Sequence, residues 1–301
     1  LSYRTGFRKT SHAGIPTVSV GNLTLGGTGK TPFAIFLADH LTAAGRNPAI
    51  LTRGYGKDES RMLKEELADV PVFVGQDRLK SAARAAAAGR DVLVLDDGFQ
   101  HRRIERDFNI LMLDGTCPFG NGRLFPRGVL REPVSAAERA DIIVLTKTDM
   151  ADAGKMEELL GKVRALGRPV VFTRHRPTFF NDVTGAAYPP EHLEGRKVCL
   201  VSGIADAGYF AYLVEKGGAE ISSRMDMGDH HRYTMADVAA IRRECERTGA
   251  GAIVTTRKDQ VKLRDLDTSL IDDKIFVLNV VMDITEGKES FFAGLDSGID
   301  G

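Results

Sequence analysis

Residues 18–32 read VSVGNLTLGGTGKTP. A short β-branched run at 16–20 leads into this stretch, and residues 31–44 leave it with helical apolar spacing and stop at Gly45. Strand, glycine loop and helix in that order are the context a phosphate-binding loop needs. Its core is Gly26-Gly27-Thr28-Gly29-Lys30-Thr31. Glycines let backbone N–H groups turn inward around phosphate oxygens, and the helix N-terminus adds partial positive charge. Lys30 then reaches the β- and γ-phosphates of a nucleotide, and the Thr31 hydroxyl is a ligand for Mg2+. The usual spacing GxxxxGK[ST] wants glycine at position 24, where this chain has Thr24. A dinucleotide fingerprint is excluded: Gly27-x-Gly29 would need glycine at position 32, which is Pro32.

Outward from the loop, short apolar runs alternate with helical patterns. Strands are expected at 49–52, 70–74, 91–95 (DVLVL), 109–113 and 141–145 (DIIVL), and a helix at 77–88 that stops at Gly89. Near-continuous apolar runs fit strands buried on both faces. The alternation predicts an α/β fold: a mostly parallel, phosphate-loop NTPase-like sheet flanked by helices and joined by right-handed crossovers. From about residue 175 the pattern changes, with Pro177, Pro189 and Pro190 in a loop-rich stretch. A second α/β series then begins, with strands at 197–201, 252–256 and 275–281 and helices at 206–216 and 234–248. The division expected is a nucleotide-binding domain over 1–185 and a smaller α/β domain over 186–301.

The 301 residues are 43% hydrophobic and 27% charged, which is the composition of a folded protein rather than a disordered one. Forty-one Lys+Arg balance 41 Asp+Glu, so a nucleic-acid partner that reads global charge is not expected. The balance is uneven along the chain. Residues 1–57 hold Arg4, Arg8, Lys9, Lys30, Arg46, Arg53 and Lys57 against Asp39 alone, a net of +6 that leaves −6 for the remainder. Either the basic residues bunch on a solvated surface, or they face an anionic ligand or an acidic lipid surface. The longest fully apolar run, 33–38, is far below the roughly 18 residues of a membrane span. Cys117, Cys199 and Cys245 have no ligand spacing and read as free thiols.

A second acidic motif lies at 93–101, LVLDDGFQH, where Asp96 and Asp97 end a buried strand. In a phosphate-loop protein, an Asp at the end of a neighbouring strand holds Mg2+ directly or through water. Two adjacent carboxylates without a cation would raise one another's pKa. The GTPase switch pattern DxxG is absent, since Phe99 and Gln100 stand where its glycine would be. Thr146-Lys147-Thr148-Asp149 matches the guanine-reading (N/T)KxD element, which keeps a GTPase or nucleotide-gated metallochaperone open as the alternative function. Asp229-His230-His231 precedes a helix; it lacks zinc-ligand spacing, and offers either a general base or a structural helix-entry histidine. Residues 120–128 and 131–133 form an arginine-rich stretch, fit to clamp a phosphate or to be a solvated loop.

Together these residues resemble the tetraacyldisaccharide 4′-kinase (lipid A 4′-kinase) family. The resemblance runs in order through VSVGNLTLGGTGKTP (18–32), LTRGYG (51–56), LDDGFQHRRIERD (95–107), FGNGRLFPRGVLREP (119–133), GDHHRY (228–233) and TTRKD (255–259), and so spans nearly the whole chain. In that family Asn-Xaa-Thr before Gly-Gly is usual, which accounts for Thr24. The resemblance implies ATP- and Mg2+-dependent phosphorylation of the 4′-hydroxyl of a tetraacylated glucosamine disaccharide 1-phosphate in lipid A biosynthesis. It implies nucleotide binding by Thr24, Gly26, Gly27, Thr28, Gly29, Lys30 and Thr31, and metal binding by Thr31, Asp96 and Asp97. Asp58, His230 and Asp97 are the implied catalytic residues, although the family's Gly-Asp-Glu-Pro reads Lys57-Asp58-Glu59-Ser60 here. Arg53, Gln100, Asn121 and Arg123 are implied to bind nucleotide or sugar phosphate. The resemblance further implies a monomer at an anionic membrane surface, peripheral on the cytoplasmic face of the bacterial inner membrane, with the smaller domain closing the active-site cleft. Relatives usually open with a hydrophobic helix that docks on the membrane. This chain starts, at Leu1, about where that helix would end.

Overall fold

Strand β1 (Thr17–Asn22) delivers the glycine loop, and all six of its residues are buried. Helix α1 (Lys30–Ala43) leaves the loop with Phe33, Leu37 and Leu41 four residues apart, and Ala34 and Ala38 fill the same buried face. These elements belong to a computed structural model whose described residues are 10–54, 57–67, 69–151 and 153–301, the side chains of 57–59, 153, 155 and 273 excepted. Next come β2 (Pro48–Thr52), α2 (Lys57–Glu66), β3 (Val72–Val74), α3 (Arg78–Ala87), β4 (Val92–Asp96), β5 (Phe108–Asp114), β6 (Ile142–Thr146), α4 (Ala153–Arg164) and β7 (Val170–Asn181). In α3 the Asp77 carboxylate accepts from the Lys80 N–H at 3.3 Å, satisfying one of the donors a helix start leaves over.

The chain forms two compact units, 1–174 with 282–301 and 175–281. The first unit orders its strands β7-β6-β5-β1-β4-β2-β3, all parallel. That is the mostly parallel, helix-flanked α/β architecture expected from the sequence. What matters for the site is that β1 and β4 are neighbours in register, Val20 opposite Asp96. Both therefore end at the same edge, so the loop after β1 and the acid pair ending β4 must meet, as ligand sites in such sheets do at the carboxyl ends of strands.

The second unit holds β8 (Ala187–Tyr188), β9 (Lys197–Ser202), α5 (Ala207–Lys216), β10 (Glu220–Asp226), α6 (Met235–Thr248), β11 (Ala252–Thr256), α7 (Arg257–Leu263) and the first part of β12 (Ile275–Glu286). Its parallel order is β10-β9-β11-β12. Side chains of β9 alternate between two cores: Val198 and Leu200 lie with Phe210 and Leu213 of α5, whereas Cys199 and Val201 lie with Val238 and Ile241 of α6. A capping box of Thr234 and Asp237 starts α6, and Gly249, at φ 67°, ends it.

Two expectations change. The proline-marked stretch after 175 is not loop throughout, because Pro177 lies within β7. The division at 185 is replaced by two crossings, at 174/175 and 281/282. The second crossing follows from α8 (Lys288–Asp300), whose Phe291, Leu295 and Ile299 repeat every four residues and enter the first unit's core. Phe291 meets Phe33 edge-on at 5.7 Å. Each of these three side chains gains about 1.5–3 kcal/mol on burial, so the helix is held by the unit it packs on and not by its place in the sequence. All three cysteines are free. Among the described residues no helix is long and apolar enough to cross a membrane.

Candidate active site

The phosphate loop is shaped by two glycines that must be glycine: Gly26 at φ 115° and Gly29 at φ 78° lie where a Cβ is strained. Gly29 is the N-cap of α1 and supplies no side-chain cap, so the first-turn N–H groups face the loop. Thr28 is buried, and its hydroxyl accepts from Asn22 Nδ2 at 3.0 Å. Thr24, standing where a glycine is usual, forms an antiparallel bridge with Leu130, and the next N–H, of Leu25, donates to Val129 O at 2.7 Å. Position 24 is thus an extended pairing residue, for which a side chain is no hindrance.

The acid pair divides its work. Asp96 is buried, and Thr31 Oγ1 donates to its Oδ2 at 3.4 Å. Asp97 takes a left-handed backbone, φ 49°, and turns to the other side. Both its oxygens are held by Arg131, Oδ1 at 2.6 Å from Nη1 and Oδ2 at 3.0 Å from Nη2, and Lys30 Nζ lies 3.8 Å from Oδ1. Burial alone would raise the Asp97 carboxyl. The hydrogen bonds from Arg131 and the charges of Lys30, Arg131 and Arg78 outweigh it and hold the group below its usual value. Arg78, itself buried, donates to the backbone carbonyls of Asp96 and Asp97 at 2.8 and 3.1 Å and so fixes the turn. The structure brings together Lys30, Thr31, Asp96 and Asp97 as expected, and adds Asn22, Arg78 and Arg131.

The arginine-rich stretch is braced from within. Arg131 spends its fork on Asp97 and also donates to Asn22 Oδ1 at 3.2 Å. Glu132 accepts from Arg139, whose guanidinium lies 4.5 Å from the centre of the Phe99 ring. Asn121 braces the loop from inside, donating to Arg127 O at 3.0 Å and accepting from the Arg123 N–H at 3.2 Å. Gly128 is required there, because a Cβ would stand 2.0 Å from Asn121 Oδ1. Arg123 is exposed. Gln100 donates to Asn22 O at 2.8 Å, at the end of β1. Arg53 follows β2 and is exposed. Asp58 falls in α2, but its side chain lies outside the described residues.

In the second unit the two histidines part. His231 pairs with Asp237 of the capping box at 3.2 Å and stands edge-on to Tyr233. His230 sits at φ 58°, half exposed, with Asp229 Oδ2 3.6 Å from its Nε2. Lys258 reaches Asp229 Oδ1 at 3.0 Å. Asp259, fully buried, accepts from the Gly203 N–H and Thr256 Oγ1 at 2.9 and 2.7 Å, so TTRKD is the brace behind this turn. The TKTD element is structural as well: Lys147 is buried and ion-paired with Asp114, the residue ending the neighbouring strand. That leaves its ammonium committed within the protein.

The profile of the family described as tetraacyldisaccharide-1-P 4′-kinase matches residues 1–299. The tetraacyldisaccharide 4′-kinase of Anaeromyxobacter dehalogenans (strain 2CP-C) is 38% identical over 318 residues, covering 97% of this chain and 84% of that protein. The enzyme of that name from Desulfatibacillum aliphaticivorans is 37% identical over 321 residues, covering 95% and 84%. The crystal structure of LpxK from Aquifex aeolicus in complex with ATP matches with a TM-score of 0.74 at 27% identity, over 99% of this chain and 93% of that one.

Proposed function

The chain belongs to the tetraacyldisaccharide 4′-kinase family, and from that premise we propose how its residues divide the work of phosphoryl transfer. The reaction is ATP-dependent phosphorylation of the 4′-hydroxyl of a tetraacylated glucosamine disaccharide 1-phosphate, a step of lipid A biosynthesis. The observation that carries the assignment of roles is the meeting of α1 with the acid pair: Thr31 beside Asp96 and Lys30 beside Asp97. Backbone N–H groups of 26–31 hold the ATP phosphates, with Lys30 on the β/γ bridge.

A hydroxyl and a carboxylate 3.4 Å apart are hard oxygen donors. They fit Mg2+, which takes one or two carboxylates and completes its shell with phosphate oxygens and water. When bound, Mg2+ supplies neutralisation of the charge on the transferring phosphoryl group. Thr31 and Asp96 are the residues that would hold it. Asp97, expected from the sequence as a ligand too, has both oxygens on Arg131. Its proposed part is to aim Lys30.

His230, backed by Asp229, accepts the proton of the sugar hydroxyl as the new P–O bond forms, and Asp58 is the second catalytic residue proposed for that step. Arg53 and Arg123 meet the sugar phosphate, while Asn121 holds the backbone at Arg123 and Gln100 holds the end of β1 through Asn22 O. The reading extends to a monomer working peripherally on the cytoplasmic face of the inner membrane, where an acylated acceptor is anchored.

The test is transfer of radiolabelled phosphate from ATP to a detergent-dispersed disaccharide 1-phosphate lipid, with and without Mg2+. Transfer should need the metal and should fall by about two orders of magnitude or more in Lys30→Ala. In Asp58→Ala and His230→Ala, turnover should fall while ATP still binds. Near-normal turnover in the last two would refute their catalytic roles.

A further inference from the structure

Phe125 is 67% exposed, the most of any large apolar side chain among the described residues. It does not stand alone. Leu124 is 47%, Leu25 48% and Val129 39% exposed. The backbone brings the four together: Leu25 N–H donates to Val129 O at 2.7 Å, Phe125 N–H donates to Leu130 O at 2.8 Å, and Leu124 bridges Leu130. Single exposed apolar side chains are ordinary, but a cluster marks a surface that something covers. Arg123 and Arg127, both exposed, flank Leu124 and Phe125. Residues 115–131 and 10–38, which build the patch, contain no Asp or Glu. The loop is also held stiffly. Asn121 ties its two limbs, Leu130 is buried, and Arg131 is locked on Asp97.

We propose that the tip at residues 123–129, with Leu25, docks on an anionic phospholipid bilayer. Leu124 and Phe125 enter the headgroup–acyl boundary, and Arg127 meets headgroup phosphates. Apolar side chains flanked by arginines on an acid-free loop are the chemistry of interfacial insertion, and aliphatic arginine stems let the charges stay at phosphate level. The inference rests on the lipid-kinase reading in one respect: docking here sets the phosphate loop, bonded to the same tip, at the lipid–water boundary where an acylated acceptor presents its sugar.

The test uses the full chain and sedimentation with vesicles of phosphatidylethanolamine and phosphatidylglycerol. Unaltered protein should bind them and should bind neutral phosphatidylcholine vesicles less. The variant Leu124→Ser with Phe125→Ser should partition at least about tenfold more weakly, since two inserted side chains are lost. Arg127→Gln should lose about fivefold on anionic vesicles and nothing on neutral ones. Thermal midpoints equal to the parent's check that folding is intact. Transfer to the detergent-dispersed acceptor should stay within about twofold in the serine variant, because neither Leu124 nor Phe125 is asked to touch the sugar.

Failure of the unaltered chain to bind anionic vesicles, or equal binding by the serine variant, overturns the proposal. So does a serine variant that binds vesicles normally but has a raised KM for the dispersed acceptor, since the patch then covers the acceptor's own acyl chains. Absence of phosphoryl transfer by the unaltered chain would overturn the kinase reading instead, and vesicle binding would be scored separately.

Discussion

Arg131→Met keeps the length of the side chain and removes the fork that holds Asp97. The pair is three-quarters buried on both sides, 25% and 23% exposed, and is bidentate at 2.6 and 3.0 Å. Breaking a fully buried pair costs about 3–5 kcal/mol because a charge is left behind, and an exposed pair is worth about 0–1 kcal/mol. The Asp97–Arg131 pair lies nearer the first case. Lys30 at 3.8 Å remains as partial compensation. A loss of about 2–3 kcal/mol follows, read as a lower urea midpoint with an unchanged slope. The pH dependence gives a second signature. In the parent, Asp97 is held below its usual value, so its stabilisation is present above the unfolded carboxyl value of 3.8 and is lost as pH falls through the lower folded value. Without Arg131 its hydrogen bonds and charge no longer oppose burial, so the carboxyl rises from its parent position. The deficit of the variant is then largest near neutrality and shrinks in acid, where protonation relieves the stranded charge. Adding Asp97→Asn to Arg131→Met should recover at least half of the loss. A single variant within about 0.5 kcal/mol of the parent, the scale of an ordinary surface change, would refute the reasoning. So would a double variant no more stable than the single.

Two further outcomes test the packing around this turn. In Gly98→Ala a Cβ would stand 2.5 Å from Ser19 Oγ and 2.8 Å from Leu95 Cβ, so the variant should lose about 1–3 kcal/mol in urea titration. His101 is half buried, and burial together with Arg78, Arg106 and Arg103 pushes it down to about 4 from 6.5. A depressed folded value means the stabilisation is complete above pH 6.5 and is lost as pH falls from there through 4. Discounted for the ring's exposure, the loss is about 1–2 kcal/mol, and urea midpoints between pH 7.5 and 4.5 should fall less steeply in His101→Gln.

The local pattern was enough for most of the sheet. The strand at 252–256 lies as expected, and those around 91–95, 109–113 and 141–145 are shifted or extended by about one residue, because a strand buried on both faces leaves a nearly unbroken apolar run. The glycine loop and its following helix were legible for the same reason of local necessity. Contacts between distant residues were not. Arg131 lies 34 positions after Asp97, and nothing in either motif says that one closes on the other. Arg78, which fixes the acid turn, opens a helix whose sequence reads only as amphipathic. Lys147 looked like part of a guanine reader until the register of β5 and β6 put Asp114 beside it. The spacing of Phe291, Leu295 and Ile299 is helical on its face, yet which core that helix joins is decided by complementary surface in the first unit.

Thr24 shows why the departure from the usual phosphate-loop spacing is informative. A glycine at that position permits conformations closed to other residues, and its absence means the backbone there is ordinary. The structure supplies the reason: Thr24 and Leu25 are engaged by residues 129–131, through the Thr24–Leu130 bridge, the Leu25–Val129 bond and the Arg131 N–H on Leu23 O. Those same residues continue into the Arg131 fork on Asp97. The phosphate loop, the acid turn and the arginine-rich loop are therefore tied in one closed circuit: β1 to its loop, loop to residues 129–131, Arg131 to Asp97, and β4 back to β1. The residues that pair with Thr24 and Leu25 are therefore continuous with the arginine that holds Asp97, 3.8 Å from Lys30.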